Sequence, residues 1–182
     1  MIPQRLVVTL EQCIKDFFVD TIGSSATLNT IREISATSGN AVVGFLGYAD
    51  LNVKGSLVIV SRPETLKASH PMTALGADVS EADQLDWLGE MANQVLGRLK
   101  NGMLPFGLSL NLATPSIVQG SDLRLASTDG SESILRAART ESGLTFGFAL
   151  NVAFASGFDP TSIDRVEPSN KLAKKEGEGF VF

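Results

Sequence analysis

Cysteine is nearly absent from this 182-residue chain. Cys13 is the only one, so no disulfide can form within the chain, which suits a reducing compartment. It falls among the apolar positions of an expected helix and reads as a small core residue. Histidine is equally scarce: His70 stands alone beside Pro71, which removes the His and Cys clusters that a zinc centre needs. No apolar run approaches the ~18 residues required to span a bilayer. The opening residues, Met1-Ile2-Pro3-Gln4-Arg5, lack a basic segment followed by an apolar one; export is not expected and the cytoplasm is the expected compartment. There is no G-x-x-x-x-G-K-[ST] loop to cradle phosphates and no G-x-S-x-G nucleophile elbow. Basic residues are neither abundant nor grouped: 15 Lys and Arg against 20 Asp and Glu give a net charge of −5. A phosphate backbone needs a concentrated basic face, so nucleic acid is not an expected partner, and no membrane association is expected either.

What is present is the pattern of one globular domain. Hydrophobic residues make up 43% and charged residues 19%, which excludes wholesale disorder at a length able to bury a core. Residues 3–22 read as a helix: Leu6, Leu10, Cys13 or Ile14, and Phe17 or Phe18 recur at three- and four-residue steps, with Gly23 as the stop. Strands are expected over residues 27–35, 41–48 and 55–61, separated by turns at Ser38-Gly39-Asn40 and Asp50-Leu51-Asn52. Pro63 opens a short helix that ends near His70-Pro71. The strongest helix covers residues 80–101, with Ser80 as N-cap, Glu81 and Asp83 in the first turn, and Arg98 and Lys100 in the last. Four more strands are expected, over 107–113, 117–127, 132–139 and 143–154. In the last, Leu144, Phe146, Phe148, Leu150, Val152 and Phe154 alternate without a miss. The expected fold class is α+β: two long helices packed on an antiparallel β-meander sheet, in two helix-plus-meander halves. The domain is expected to occupy residues 1–156, with residues 157–182 as a polar C-terminal extension that ends, unusually, in Phe180-Val181-Phe182.

The second long helix concentrates the chemistry. At about 100° per residue, Leu85, Leu88, Ala92, Val95, Leu96 and Leu99 form its core face. Asp86, Glu90, Asn93 and Gly97 gather within about 60° of one another on the far side. Gly89 and Gly97 each cost the helix roughly 1 kcal/mol against Ala, which calls for a close packing neighbour or an approaching partner. A Glu and an Asn three apart on an exposed face ordinarily signify solvation. Asp86 reads equally as a capping or a solvated residue, and Trp87 as a core or rim aromatic or as a partner contact.

The wider segment changes the weight of that stripe. Asp86-Trp87-Leu88-Gly89-Glu90-Met91-Ala92-Asn93-Gln94-Val95-Leu96-Gly97 resembles the signature helix of the CheC/CheX/FliY phosphatase family: an Asp or Ser, a Glu four residues on, and an Asn three further. That family carries a proline well downstream of the Asn in a P-x-x-x-x-G-like segment. Pro115 and Gly120 stand in those places, in Thr114-Pro115-Ser116-Ile117-Val118-Gln119-Gly120. The resemblance spans about residues 3–156 and includes the opening helix with Phe17, Phe18 and Gly23. CheC-type members carry the motif on both long helices. Here the first helix reads Glu11-Gln12-Cys13-Ile14, with Ile14 where a matching Asn would fall, which favours the single-site CheX type.

The resemblance implies a phosphatase for the phospho-aspartate of a CheY-like receiver domain, in chemotaxis or related two-component signalling. Asn93 would hold the attacking water and Glu90 would pair with a receiver lysine. Asp86, Gly97 and Pro115 become partner-binding positions. No cofactor or metal of its own is implied, because Mg²⁺ would sit with the receiver. A homodimer joined through the sheets is also implied; the long, uncharged 143–154 strand should then be central or buried against a second subunit, its neighbours supplying any dimer edge. The same superfamily includes flagellar-switch components that hydrolyse nothing, so a non-catalytic receiver-binding module stands as a second reading.

Overall fold

Residues 1–124 and 131–167 are described by the computed structural model. Helix α1 (Gln4–Phe17) passes into one π-helical stretch, Phe18–Ile22, which stops at Gly23 with φ 72°. Strands β1 (Ala26–Thr30), β2 (Ser35–Ala49) and β3 (Val53–Ser61) follow, then short helices α2 (Pro63–Ser69) and α3 (Pro71–Ala74). The long α4 (Glu81–Met103) ends in a 3₁₀ turn at Leu104–Phe106 and leads to β4 (Asn111–Leu112), β5 (Ser116–Arg124), β6 (Glu132–Thr140) and β7 (Thr145–Phe154). A short α5 (Ser162–Arg165) closes the described chain.

Local chemistry explains where α4 begins. The Ser80 hydroxyl accepts the Asp83 backbone N–H at 3.2 Å, and the Asp83 carboxylate accepts the Ser80 backbone N–H at 2.9 Å, a reciprocal capping box. The Ser80 hydroxyl and backbone N–H hold the Asp83 carboxyl below the usual carboxylate range. A depressed folded-state pKa means that this contribution is present above the ordinary value and fades as pH falls through the folded one. Ser80→Ala should lower unfolding stability by about 1 kcal/mol, read as a shifted urea midpoint with unchanged slope.

The seven strands form one antiparallel sheet. Its order runs β1-β6-β7-β3-β2, and β2 carries β4 and β5 on its outer side. The α+β class with two helix-plus-strand halves is the expected one. Connectivity adds a feature that alternation could not supply: β1 follows α1 yet pairs with β6, and β5 follows α4 yet pairs with β2. The first half thus gives β1 to the second, and the second gives β5 and the short β4 to the first. The remaining strands form the hairpins β2–β3 and β6–β7, which meet along β3–β7. Period-two patterning specifies which face a side chain takes, not which strand lies beside it.

Two local expectations give way. Ser38-Gly39-Asn40 is not a turn; it lies within β2, at a register shift between Ala36 and Asn40, with Gly39 at φ 88°. Turns and bulges draw on the same positive φ, and here the strand runs on because β5 pairs with it before and after the shift, Ala36 with Leu123 and Asn40 with Ser121. The expected strand over 107–113 shrinks to the two residues of β4. The strand expected to reach Ser127 is described as far as Arg124; residues 125–130 lie outside the described residues.

Helices α1 and α4 cover one face of the sheet. Leu10, Ile14, Phe17, Phe18, Leu88, Val95, Leu46, Leu57, Ile59, Phe146 and Phe148 are all fully buried there. Full burial of each such side chain contributes roughly 1.5–3 kcal/mol. Gly44 lets α4 come close: a Cβ on it would lie 3.1 Å from Cγ of Leu88. Beyond residue 156 the chain still packs. Phe158 stacks on Phe154 with ring centroids 5.9 Å apart, Ile163 is buried, and the Asp164 carboxylate accepts the backbone N–H groups of Gln4 (3.0 Å) and Arg5 (2.8 Å) at the start of α1. An acidic cap at a helix N-terminus satisfies orphan donors and complements the dipole. Residues 168–182, including Phe180-Val181-Phe182, lie outside the described residues.

Candidate functional site on helix α4

The core face of α4 is wider than its leucine pattern alone. Trp87, Leu88, Met91, Ala92, Val95, Leu96, Leu99 and Met103 are buried, whereas Leu85 is half-buried. Trp87 belongs to the core: its indole N–H donates to the Ser69 hydroxyl at 3.0 Å, and its ring lies 6.4 Å from Phe17 and 5.6 Å from His70, centroid to centroid. Of the readings of Trp87 from the sequence, the core aromatic is the one its burial matches. His70 caps α3, its Nδ1 accepting the Met72 backbone N–H at 3.1 Å.

The opposite side of α4 carries Asp86, Glu90 and Asn93, all exposed, and a half-exposed Gly97. Among the described residues the Asn93 carboxamide has no hydrogen-bond partner. Capping is carried by Ser80 and Asp83, so Asp86 is not a cap. A Cβ on Gly89 would lie 3.8 Å from Cβ of Pro115, an ordinary van der Waals contact that leaves room for alanine. The same contact puts Pro115, half-buried before β5, beside the helix one residue from Glu90. Gly97 is different: a Cβ on it would meet nothing within 4 Å.

On the other flank the π-helical stretch of α1 reaches across. The Thr21 hydroxyl donates to Oε1 of Gln94 at 2.9 Å, and Nε2 of Gln94 donates to Oε1 of Glu90 at 2.8 Å. Arg98 pairs with Asp20 at 2.7 Å. Sequence reading assigned none of Thr21, Gln94, Asp20 and Arg98 to the site, although Arg98 and Gln94 stand on the same helix. Gln94 stands four residues from Glu90, a spacing that was available, but nothing in the sequence ties Thr21 or Asp20 to α4.

The first helix offers no second site. Ile14 is fully buried, and Glu11 is committed to Arg136 at 2.6 Å. Burial pushes the Cys13 thiol up to about 11. Little thiolate exists at neutral pH, so Cys13 should resist alkylation in the folded protein and react promptly in denaturant, as thiol titration with a maleimide would show. Among the described residues no three His, Cys, Asp or Glu side chains converge in a group able to hold a metal ion. No helix among them is long and apolar enough to cross a membrane.

Fold and site together define an α+β protein with one exposed Glu–Asn helix face. A family model described as chemotaxis phosphatase CheX matches residues 40–137, and the chain belongs to the CheX family. Solved structures share the fold at low identity. A CheC-like superfamily protein from Shewanella sp. PV-4 superposes with a TM-score of 0.69 at 19% identity, covering 83% of this chain and 99% of that one. The chemotaxis protein CheX from Vibrio vulnificus gives 0.67 at 17%, covering 81% and 95%. The CheX-CheY-BeF₃-Mg²⁺ complex from Borrelia burgdorferi gives 0.60 at 14%, covering 82% and 96%. Among curated proteins none matches the chain.

Proposed function

We propose that the chain is a protein aspartyl-phosphate phosphatase that accelerates hydrolysis of the phospho-aspartate on a CheY-like receiver domain, working in the cytoplasm in chemotaxis or a related two-component pathway. The observation that carries this reading is the Asn93 carboxamide, exposed, without a partner among the described residues, and one helical turn from Glu90. An acyl phosphate needs little covalent help; a water held in line with the P–O bond and charge stabilisation suffice. A carboxamide donates and accepts at once, so Asn93 can hold that water while its oxygen attacks phosphorus. The bond to the receiver aspartate breaks, the aspartate leaves as carboxylate, and inorganic phosphate is released. Glu90 pairs with a receiver lysine and sets the two proteins in register. Mg²⁺ is the receiver's, in keeping with a related CheX solved together with CheY, BeF₃ and Mg²⁺.

Asp86, Gly97 and Pro115 frame the docking surface in this reading. Gly97→Ala should leave stability equal or raise it by up to about 1 kcal/mol, since a helix prefers Ala and the added Cβ meets nothing within the chain. Gly97→Leu should fold normally yet weaken receiver binding by about tenfold or more, because it fills the space that a partner would approach. Equal affinity for both variants would remove Gly97 from the docking surface.

The test of the function is phosphate release from each CheY-type receiver of the same genome, phosphorylated with phosphoramidate in Mg²⁺, with and without the chain. Acceleration of one receiver is expected. Binding without acceleration would make the chain a receiver-binding module, the behaviour of the alternative reading.

The homodimer is part of the same proposal. β7 is central, between β3 and β6, so its neighbours are not edges; the open edges are β1 and the β4–β5 side. Two copies would pair through one of these edges with both α4 stripes outward, so that each can take one receiver. Light scattering over a dilution series should give twice the monomer mass, and monomer at every concentration would refute it.

A further inference from the structure

We propose that Gln94 is a positioning residue for Glu90 and that Thr21, from the π-helical stretch of α1, sets its orientation. This deepens the phosphatase reading and rests on it for the role of Glu90. Three side chains form a relay in which each hydrogen bond has only one possible direction. An ionised Glu90 can only accept, so Gln94 must turn its Nε2 to Glu90, at 2.8 Å. Its Oε1 then faces Thr21, whose hydroxyl must be the donor, at 2.9 Å. A Gln four residues from a Glu on a helix surface is ordinary. The third member is not, for it comes from 73 residues away, on the π-helical stretch Phe18–Ile22. Such widened turns recur at functional sites. The Asp20–Arg98 pair, at 2.7 Å, holds the same stretch against α4 one turn further on.

The consequence for docking is geometric. With Oε1 of Glu90 engaged by Gln94, the carboxylate is turned and its other oxygen is left for a lysine ammonium. A pre-set side chain loses less rotamer freedom when the partner arrives, so the relay acts on receiver affinity and leaves the water held by Asn93 untouched.

Thr21→Val and Gln94→Met keep approximate shape and remove the hydrogen bonds. Each should raise the half-saturating receiver concentration about three- to tenfold, the factor that one hydrogen bond carries, with kcat within about twofold of wild type. Thr21→Ser should behave as wild type. Gln94→Glu, which sets carboxylate against carboxylate, should be the worst of the set. The decisive measurement repeats Thr21→Val and Gln94→Met in a Glu90→Ala background, where neither should have a further effect. Penalties that persist there, or single variants within twofold of wild type in affinity, would overturn the relay and leave the phosphatase reading standing. The same cycle can be read from fluorescence titration of a receiver activated with beryllium fluoride and Mg²⁺. A wild-type chain that binds but releases no phosphate therefore overturns catalysis alone, and one that binds no receiver overturns both.

Discussion

Asn93→Ala is expected to reduce accelerated dephosphorylation by about 100-fold or more, the scale at which a misplaced nucleophile loses rate. The physical basis is that the substitution deletes the one group proposed to hold water and touches nothing else. Asn93 is exposed and its carboxamide has no partner among the described residues, so the thermal midpoint should not move. Receiver affinity should be nearly preserved, since docking is proposed to depend on Glu90 and the surrounding surface. Asn93→Asp is the sharper variant. It keeps shape but replaces a donor with negative charge that would face the phosphoryl oxygens, and it should be as inactive as alanine. Single-turnover phosphate release at saturating receiver separates the two effects. A wild-type rate in Asn93→Ala would place water positioning elsewhere, whatever the behaviour of Glu90.

Gly55→Ala is expected to destabilise the fold by about 3 kcal/mol, the upper end of overpacking costs, although it adds a single methyl group. Gly55 lies in β3 directly opposite Tyr48 of β2. The Tyr48 ring crosses over it so that the phenol donates to the Asn151 backbone carbonyl at 2.9 Å. A Cβ on Gly55 would fall 1.8 Å from that carbonyl oxygen and 2.7 Å from the phenol oxygen. The first neighbour is backbone of β7 and cannot swing aside, so β3 and β7 must part at the seam where the two hairpins meet. Burial also pushes the Tyr48 phenol pKa upward. Urea unfolding of Gly55→Ala beside Gly97→Ala gives the contrast directly, since the second adds the same methyl group where nothing lies within 4 Å. Equal stability of the pair would show that the sheet relaxes around Gly55.

The α4 stripe was legible because a helix turns spacing into position. Asp86, Glu90, Asn93 and Gly97 needed only the 3.6-residue repeat to be placed together, and Ser80 as N-cap with an acidic first turn marked where the repeat begins. Trp87 and Met91 were harder, because a face becomes core only when a neighbour arrives, and their neighbours include Phe17 on α1. Thr21 and Gln94 were out of reach for the same reason. Their contact joins the stretch after α1 to α4, 73 residues apart in the chain.

Alternation along residues 143–154 determined that this segment would be a buried strand, and one unbroken run of inward residues sufficed for that. Its neighbours β3 and β6 were decided only in three dimensions, as was the exchange that sends β1 to β6 and β5 to β2. Local periodicity is a property of adjacent residues and survives in any fold that buries one face. Strand partnership, the Pro115–Gly89 contact and the Thr21–Gln94–Glu90 relay join residues far apart in the chain, and those distances close only when the whole core packs.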